Sequence, residues 1–317
     1  MPLANILIND FILEAKKSDF KRSKRGRIRA LIFIFFIFNF TLLIGEEVTT
    51  EDFIISYHGL KKDFVKKFAL SLEDEIDKFQ RKLGKYPDYK VKIIIAQNND
   101  DYLKIIKSKL KITEFSRAVY IPSQNLIVIR SPKDIANFSA IRRTLLHEYI
   151  HGFIHHHMVN VPLWFNEGMA VYFSNDFGMD RELRFAYSYL LQNPITLTEM
   201  ASGYPKSKAE WEFYYAKSAL AVKYLYTSNT EQFIRFWDNV TPKTNFYQAF
   251  VRTYLINPKI FSNQFEKYCR NHFKTQIIMA SSSLIWGFLP LLAILVWIRR
   301  KVKFKKLYEL NEEEKNE

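Results

Sequence analysis

Hydrophobic positions along this chain follow three patterns. Two are unbroken apolar runs near the ends, and the third is a periodic alternation between them. From Leu60 to Leu83 apolar residues recur at helical spacing, at Phe64, Phe68, Leu70, Leu72, Ile76, Phe79 and Leu83, which predicts an amphipathic helix. Gly84 and Pro87 stop it. The stretches "FIISYHG" (53–59) and "YKVKIIIAQ" (89–97) read as strands, and "NDDYLKIIKSKL" (99–110) as a helix that opens on capping residues. "RAVYIP" and "NLIVIR" flank Ser123 and Gln124 and predict a hairpin near 117–130. A helix then opens at Pro132 and Asp134 and runs past residue 150. Beyond about 160 the periodicity is helical, at 164–175, 181–192, 209–228, 230–239, 244–255 and 259–273. The pattern is α+β, a small mixed half followed by a mostly helical one.

The C-terminal apolar run "IIMASSSLIWGFLPLLAILVWI" (277–298) carries no charge and is followed by "RRKVKFKK". A run of that length is enough to cross a hydrocarbon core of about 30 Å, and the basic stop favours a transmembrane helix. The N-terminal run "ALIFIFFIFNFTLLIG" (30–45) follows a basic leader, residues 1–29. It reads as a signal peptide or a membrane anchor. Both runs imply one topology, with basic ends, including the tail 299–317, on the cytoplasmic side. Residues 46–276 would then be extracytoplasmic, with the bilayer as a partner.

Charge changes this picture little. The net charge is +14, but residues 1–29 and 299–317 supply +5 and +2 of it. The remaining +7 is dispersed, without an arginine-rich block, so no nucleic-acid partner is expected. Cys269 is the single cysteine, which excludes an intrachain disulfide and a cysteine-based zinc site.

The chemistry concentrates at 144–151, "TLLHEYIH". Residues four apart on a helix lie within about 40° of each other and one turn along. His147 and His151 therefore offer two imidazoles to one point, which suits zinc. Glu148 lies about 100° further round, placed to move protons without ligating. The H-E-x-x-H spacing is the sequence form of that arrangement. A catalytic zinc site takes three protein ligands and water. Glu167, on the next predicted helix, is one candidate for the third. His157 is the other, at the last position of an H-E-x-x-H-x-x-G-x-x-H pattern. Ile154 stands where that pattern has its glycine, so the helix is expected to carry His157 off the metal-facing side, which favours Glu167.

The segments "LLHEYIHGFI" and "VPLWFNEGMAVYF" resemble the gluzincin zinc metallopeptidases, most closely the peptidase MA-like domain family, with Pro162, Trp164, Glu167, Gly168 and Ala170 at that family's positions. The resemblance covers roughly 53–228 and implies a zincin-like fold, in a domain expected to span 46–275. It also implies a zinc ion held by His147, His151 and Glu167, Glu148 as general base, and a peptide or protein substrate. By the match of "YYAKSALAVKYLY" (214–226), it further implies that Tyr215 donates to the oxyanion. One departure is Val171, where thermolysin-like members carry an Asp that supports a ligand; Asn166, Ser174 and Asp176 are the available substitutes. The strand 125–130 is expected to serve as a ledge on which a peptide adds as an extra strand. A non-catalytic module on the same scaffold is the rival reading. An intramembrane protease is disfavoured by the polar surroundings of 135–157.

Overall fold

The computed structural model describes residues 46–107, 117–131, 138–191, 195–203, 205 and 207–313. The side chains of 180, 187, 190, 191, 208, 276–287 and 304–313 lie outside that description. The N-terminal half is a five-stranded sheet with helices on it. Its strands are β1 (Glu46–Thr49), β2 (Phe53–Tyr57), β3 (Val91–Ile95), β4 (Ala118–Ile121) and β5 (Leu126–Ile129). Helix α1 (Lys62–Leu83) joins β2 to β3, and α2 (Asn99–Lys107) follows β3. The spatial order is β1-β2-β3-β5-β4. β2, β3 and β5 run parallel, while β1 and β4 are antiparallel edges.

Burial explains this order. In β2 and β3 the residues Phe53, Ile55, Tyr57, Val91, Ile93 and Ile95 turn to one face and join the main core. β5 is buried at all four positions. Ile127 and Ile129 enter the main core, and Leu126 and Val128 enter a second cluster with Tyr102 and Ile106 of α2. A strand covered on both faces reads as a continuous apolar run, as "LIVI" does. α1 turns Val65, Phe68, Ala69, Leu72, Ile76, Phe79 and Leu83 inward. Phe64 and Leu70, which the periodicity counted as apolar-face positions, are exposed.

The expected ledge at 125–130 is corrected. β5 is hydrogen-bonded to β3 on one side and to β4 on the other, so its own edges are already used. The outer strand beside it is β4.

Helix α3 (Phe138–His157) packs across the sheet on β4 and β5 and against α1. The helix start expected at Pro132 lies outside the described residues. After α3 come β6 (Met158–Val159), α4 (Leu163–Phe173), α5 (Met179–Leu191), α6 (Lys208–Ser228), α7 (Thr230–Asp238), β7 (Thr244–Asn245), α8 (Phe246–Tyr254) and α9 (Pro258–Glu313). These helices share an aromatic core. Trp164 of α4 stacks on Phe261 of α9 at 5.7 Å, and Phe165 meets Phe246 at 4.8 Å.

The two expected membrane segments are also corrected. Among the described residues, no helix is long and apolar enough to cross a membrane. α9 begins inside the domain, where Phe261, Phe265, Cys269 and Phe273 are core residues. Its apolar run with described side chains, from Phe288 to Ile298, is exposed. The segment 30–45 lies outside the described residues. The extracytoplasmic location inferred from these segments is withdrawn with them.

Candidate metal centre

The turn after α3 sets the geometry of the site. Met158 and Val159 pair in parallel with Thr244 and Asn245, which fixes the end of the helix. Asn160 then takes a left-handed conformation, φ 55°, which its short polar side chain tolerates. Pro162 caps α4 in extended backbone. The chain folds back, and α4 lies against α3.

That fold-back brings Glu167 to the two histidines. Its Oε2 lies 3.7 Å from His147 Nε2 and 3.6 Å from His151 Nε2. The two imidazole nitrogens are 3.1 Å apart. Ligand atoms bound tetrahedrally at 2.0–2.1 Å from one centre are separated by about 3.3–3.4 Å, so the three donors have the spacing a zinc ion requires. Glu167 is buried, and its Oε2 has no hydrogen-bond partner among the described residues. A buried, unpaired carboxylate oxygen is costly unless a cation meets it. Two imidazoles and a carboxylate form a donor set that zinc accepts, and the residues present fit the ion.

Electrostatics point the same way. Burial, with the neighbouring His151 and Arg181, holds His147 well below the ordinary imidazole range, so it is a neutral donor. Burial pushes the Glu167 carboxyl up, opposed by His151. Burial raises the Glu148 carboxyl to about 7, against the pull of His151 and with the push of Glu167. A dication beside these carboxylates would favour their charged forms.

Glu148 sits beside the donor cluster and is not part of it. Its Oε2 accepts a hydrogen bond from the Tyr120 amide of β4, 2.8 Å. The Tyr120 ring rests on α3 at Gly152, where a Cβ would meet ring carbon Cε2 at 3.0 Å. The glycine thus lets the edge strand come close enough to hold Glu148.

Tyr215 of α6 closes the other side. Its ring centroid is 6.4 Å from that of His147. Burial raises its hydroxyl pKa, with Glu167 and Glu148 the next causes, so the group remains a protonated donor. α6 approaches because α4 carries Gly168 next to Glu167. A Cβ there would lie 2.3 Å from Ser218 O, so the two helices touch backbone to backbone.

His157 is not brought to the cluster. It is buried, its Nδ1 pairs with Phe153 O at 2.8 Å, and its ring packs on Phe153 at 4.4 Å. His155 and His156 lie at the end of α3, His156 against Tyr89 at 4.2 Å. Of the possible supports for the ligands, Ser174 bonds to Val171 O and Asp176 pairs with Arg181. His151 Nδ1 is buried with no partner among the described residues. Three features of the site were not foreseen. The Tyr120 contact is made by backbone, which has no sequence signature. Trp211 lies 5.1 Å from Tyr215, one turn earlier on α6, and that spacing was readable. Arg181, which bridges Asp176 at 2.9 Å and Glu212 at 3.9 Å, reaches the site only through the packing of α5.

No family profile matches the sequence, and no curated protein does. Solved structures similar to the chain include a two-domain M1 zinc metallopeptidase variant bound to L-arginine. It has TM-score 0.39 and 13% identity, over 71% of this chain and 50% of that one. An M1 zinc metallopeptidase variant from Deinococcus radiodurans, bound to a Tyr-Ser-Ala substrate, has TM-score 0.39 and 12% identity, over 71% and 49%. The M1 zinc metallopeptidase from the same organism has TM-score 0.35 and 12% identity, over 71% and 49%. The chain spans about half the length of these proteins. The donor geometry stands independently of this likeness.

Proposed function

We propose that this chain is a zinc-dependent metallopeptidase whose catalytic domain covers residues 46–275. The observation that carries the reading is the convergence of His147 Nε2, His151 Nε2 and Glu167 Oε2, with separations of 3.1, 3.6 and 3.7 Å, the carboxylate oxygen having no hydrogen-bond partner among the described residues. The residues of "VPLWFNEGMAVYF" support a relationship to the peptidase MA-like gluzincins.

His147, His151 and Glu167 hold the ion. Zinc held there supplies Lewis acidity, polarising the scissile carbonyl and making water a nucleophile near neutral pH. Glu148 takes the proton of the attacking water on its carboxylate and returns it to the nitrogen of the departing amine. The Tyr120 amide holds the Glu148 carboxylate by one oxygen, which leaves Oε1 for that proton. The Tyr215 hydroxyl donates to the oxygen that gains charge as the carbonyl carbon becomes tetrahedral. The substrate class is a peptide or protein.

The test is cleavage of a mixed peptide pool by the purified, zinc-loaded chain. Cleavage that vanishes in Glu148→Gln while zinc stays bound supports the reading. A chain that holds zinc and cleaves nothing contradicts it.

A further inference from the structure

The helix that carries Tyr215 also carries a lysine in the core. Lys217 is wholly buried. At about 100° per residue, Tyr215 and Lys217 point roughly 200° apart on α6, so one faces the metal ligands and the other the opposite side. There Lys217 Nζ lies 2.6 Å from Glu266 Oε1 of α9, and it donates to Ile195 O. Glu266 Oε2 accepts from the Tyr189 hydroxyl of α5 at 2.6 Å. Three helices and one loop thus meet at a single charge pair.

Apolar side chains would hold these helices together at least as well, because a buried ion pair loses its hydration. Direction comes from the hydrogen bonds on either side of the ion contact, Lys217 to Ile195 O and the Tyr189 hydroxyl to Glu266 Oε2. The front of α6 is already fixed in distance, by the contact of Gly168 with Ser218 O. That contact does not set the rotation of α6 about its axis. Lys217 is a polar anchor on the far side.

We infer that Lys217 and Glu266 are positioning residues for Tyr215, and that their buried pair sets the rotation of α6 and aims the tyrosine hydroxyl at the oxygen that gains charge. The inference rests on the peptidase reading of the site. It also makes the first turns of α9 part of the active-site support.

A double-mutant cycle on the zinc-loaded full chain tests it. Lys217→Met paired with Glu266→Gln removes both charges together and leaves Tyr189 a partner, which protects folding. Zinc content, peptide cleavage and acetohydroxamate affinity are read in each variant. Tyr215→Phe is expected to lower kcat about 10²-fold. The Lys217/Glu266 double variant is expected to retain zinc and lower kcat by roughly 10- to 100-fold, with KM nearly unchanged. Introduced into Tyr215→Phe, it should cost less than about twofold more, because both changes remove one interaction. Equal losses in the two backgrounds, or loss of zinc from the double variant, would overturn the inference. A parent chain that binds zinc and cleaves nothing defeats the peptidase reading alone. The cycle is then read from acetohydroxamate affinity, where additivity overturns the positioning role and non-additivity supports it.

Discussion

The backbone amide of Tyr120 donates to Glu148 Oε2 across 2.8 Å, so the edge strand of the sheet holds the carboxylate proposed to transfer protons. Glutamine at 148 can accept the same bond through its amide oxygen, yet it cannot take a proton. Glu148→Gln should therefore keep fold and zinc and lower kcat by about 10²–10⁴-fold. Steady-state kinetics with parallel metal analysis checks this. A variant that also loses zinc would place Glu148 among the ligands.

The backbone contact between α4 and α6 gives a stability prediction. Gly168→Ala puts a methyl 2.3 Å from Ser218 O, which cannot yield without moving α6. The expected loss is about 1–3 kcal/mol or more in urea unfolding. Gly152→Ala meets the Tyr120 ring at 3.0 Å, and a ring can tilt, so its loss should be smaller. Equal stability of Gly168→Ala and the parent would show that the close approach is not maintained.

A second buried network underlies α3. Gln80 donates to Asp52 Oδ1 at 2.6 Å and to the Tyr149 hydroxyl at 2.8 Å. Burial raises the Asp52 carboxyl above its ordinary range, offset in part by the Gln80 bond. A raised folded-state pKa means the folded chain binds the proton more tightly than the unfolded chain does. Stability from this group is full below the unfolded value and is lost as pH rises through the folded one. Asp52→Asn should therefore raise Tm at pH 7, by about 2–4 °C, and the gain should vanish as pH falls below the ordinary carboxylate range. Thermal unfolding of parent and variant across pH 3–7 checks the sign. A gain that grows toward acid contradicts it.

The sequence made some of these features legible and concealed others. "HEYIH" and "FNEG" declared the donor set, because ligand chemistry needs particular side chains at particular spacings. The strands were legible from apolar alternation, but β5 as an inner strand was not. The run "LIVI" fits any strand buried on both faces, and only the pairing of β3 and β4 on its two sides shows that its edges are used. Leu70 is apolar but lies two residues from both Phe68 and Leu72, about 200° round α1, so it faces away from the core and is exposed. The apolar run 277–298 carried a membrane signal by composition, whereas α9 spends its first turns in the domain core. Lys217 reads as a surface lysine in "YYAKSA"; its burial depends on Glu266, 49 positions away.

Metal binding should also register as stability. An ion bound by the folded chain alone raises its unfolding free energy, by about 2.7 kcal/mol at a hundredfold excess over Kd. Zinc should therefore raise Tm of the parent, and a chelator should reverse the rise. Glu167→Ala should show a clearly smaller response at the same zinc concentration, because it removes the one carboxylate among the three donors. A parent Tm that zinc leaves unmoved would contradict this.

The most direct test is zinc stoichiometry. Parent chain and Glu167→Ala are stripped with chelator, dialysed against zinc, and analysed for bound metal. The account predicts one zinc per parent chain and an affinity at least about 10–100-fold weaker in Glu167→Ala, a larger effect than loss of an outer support. A parent that holds no zinc, or a variant that holds it equally well, would contradict it.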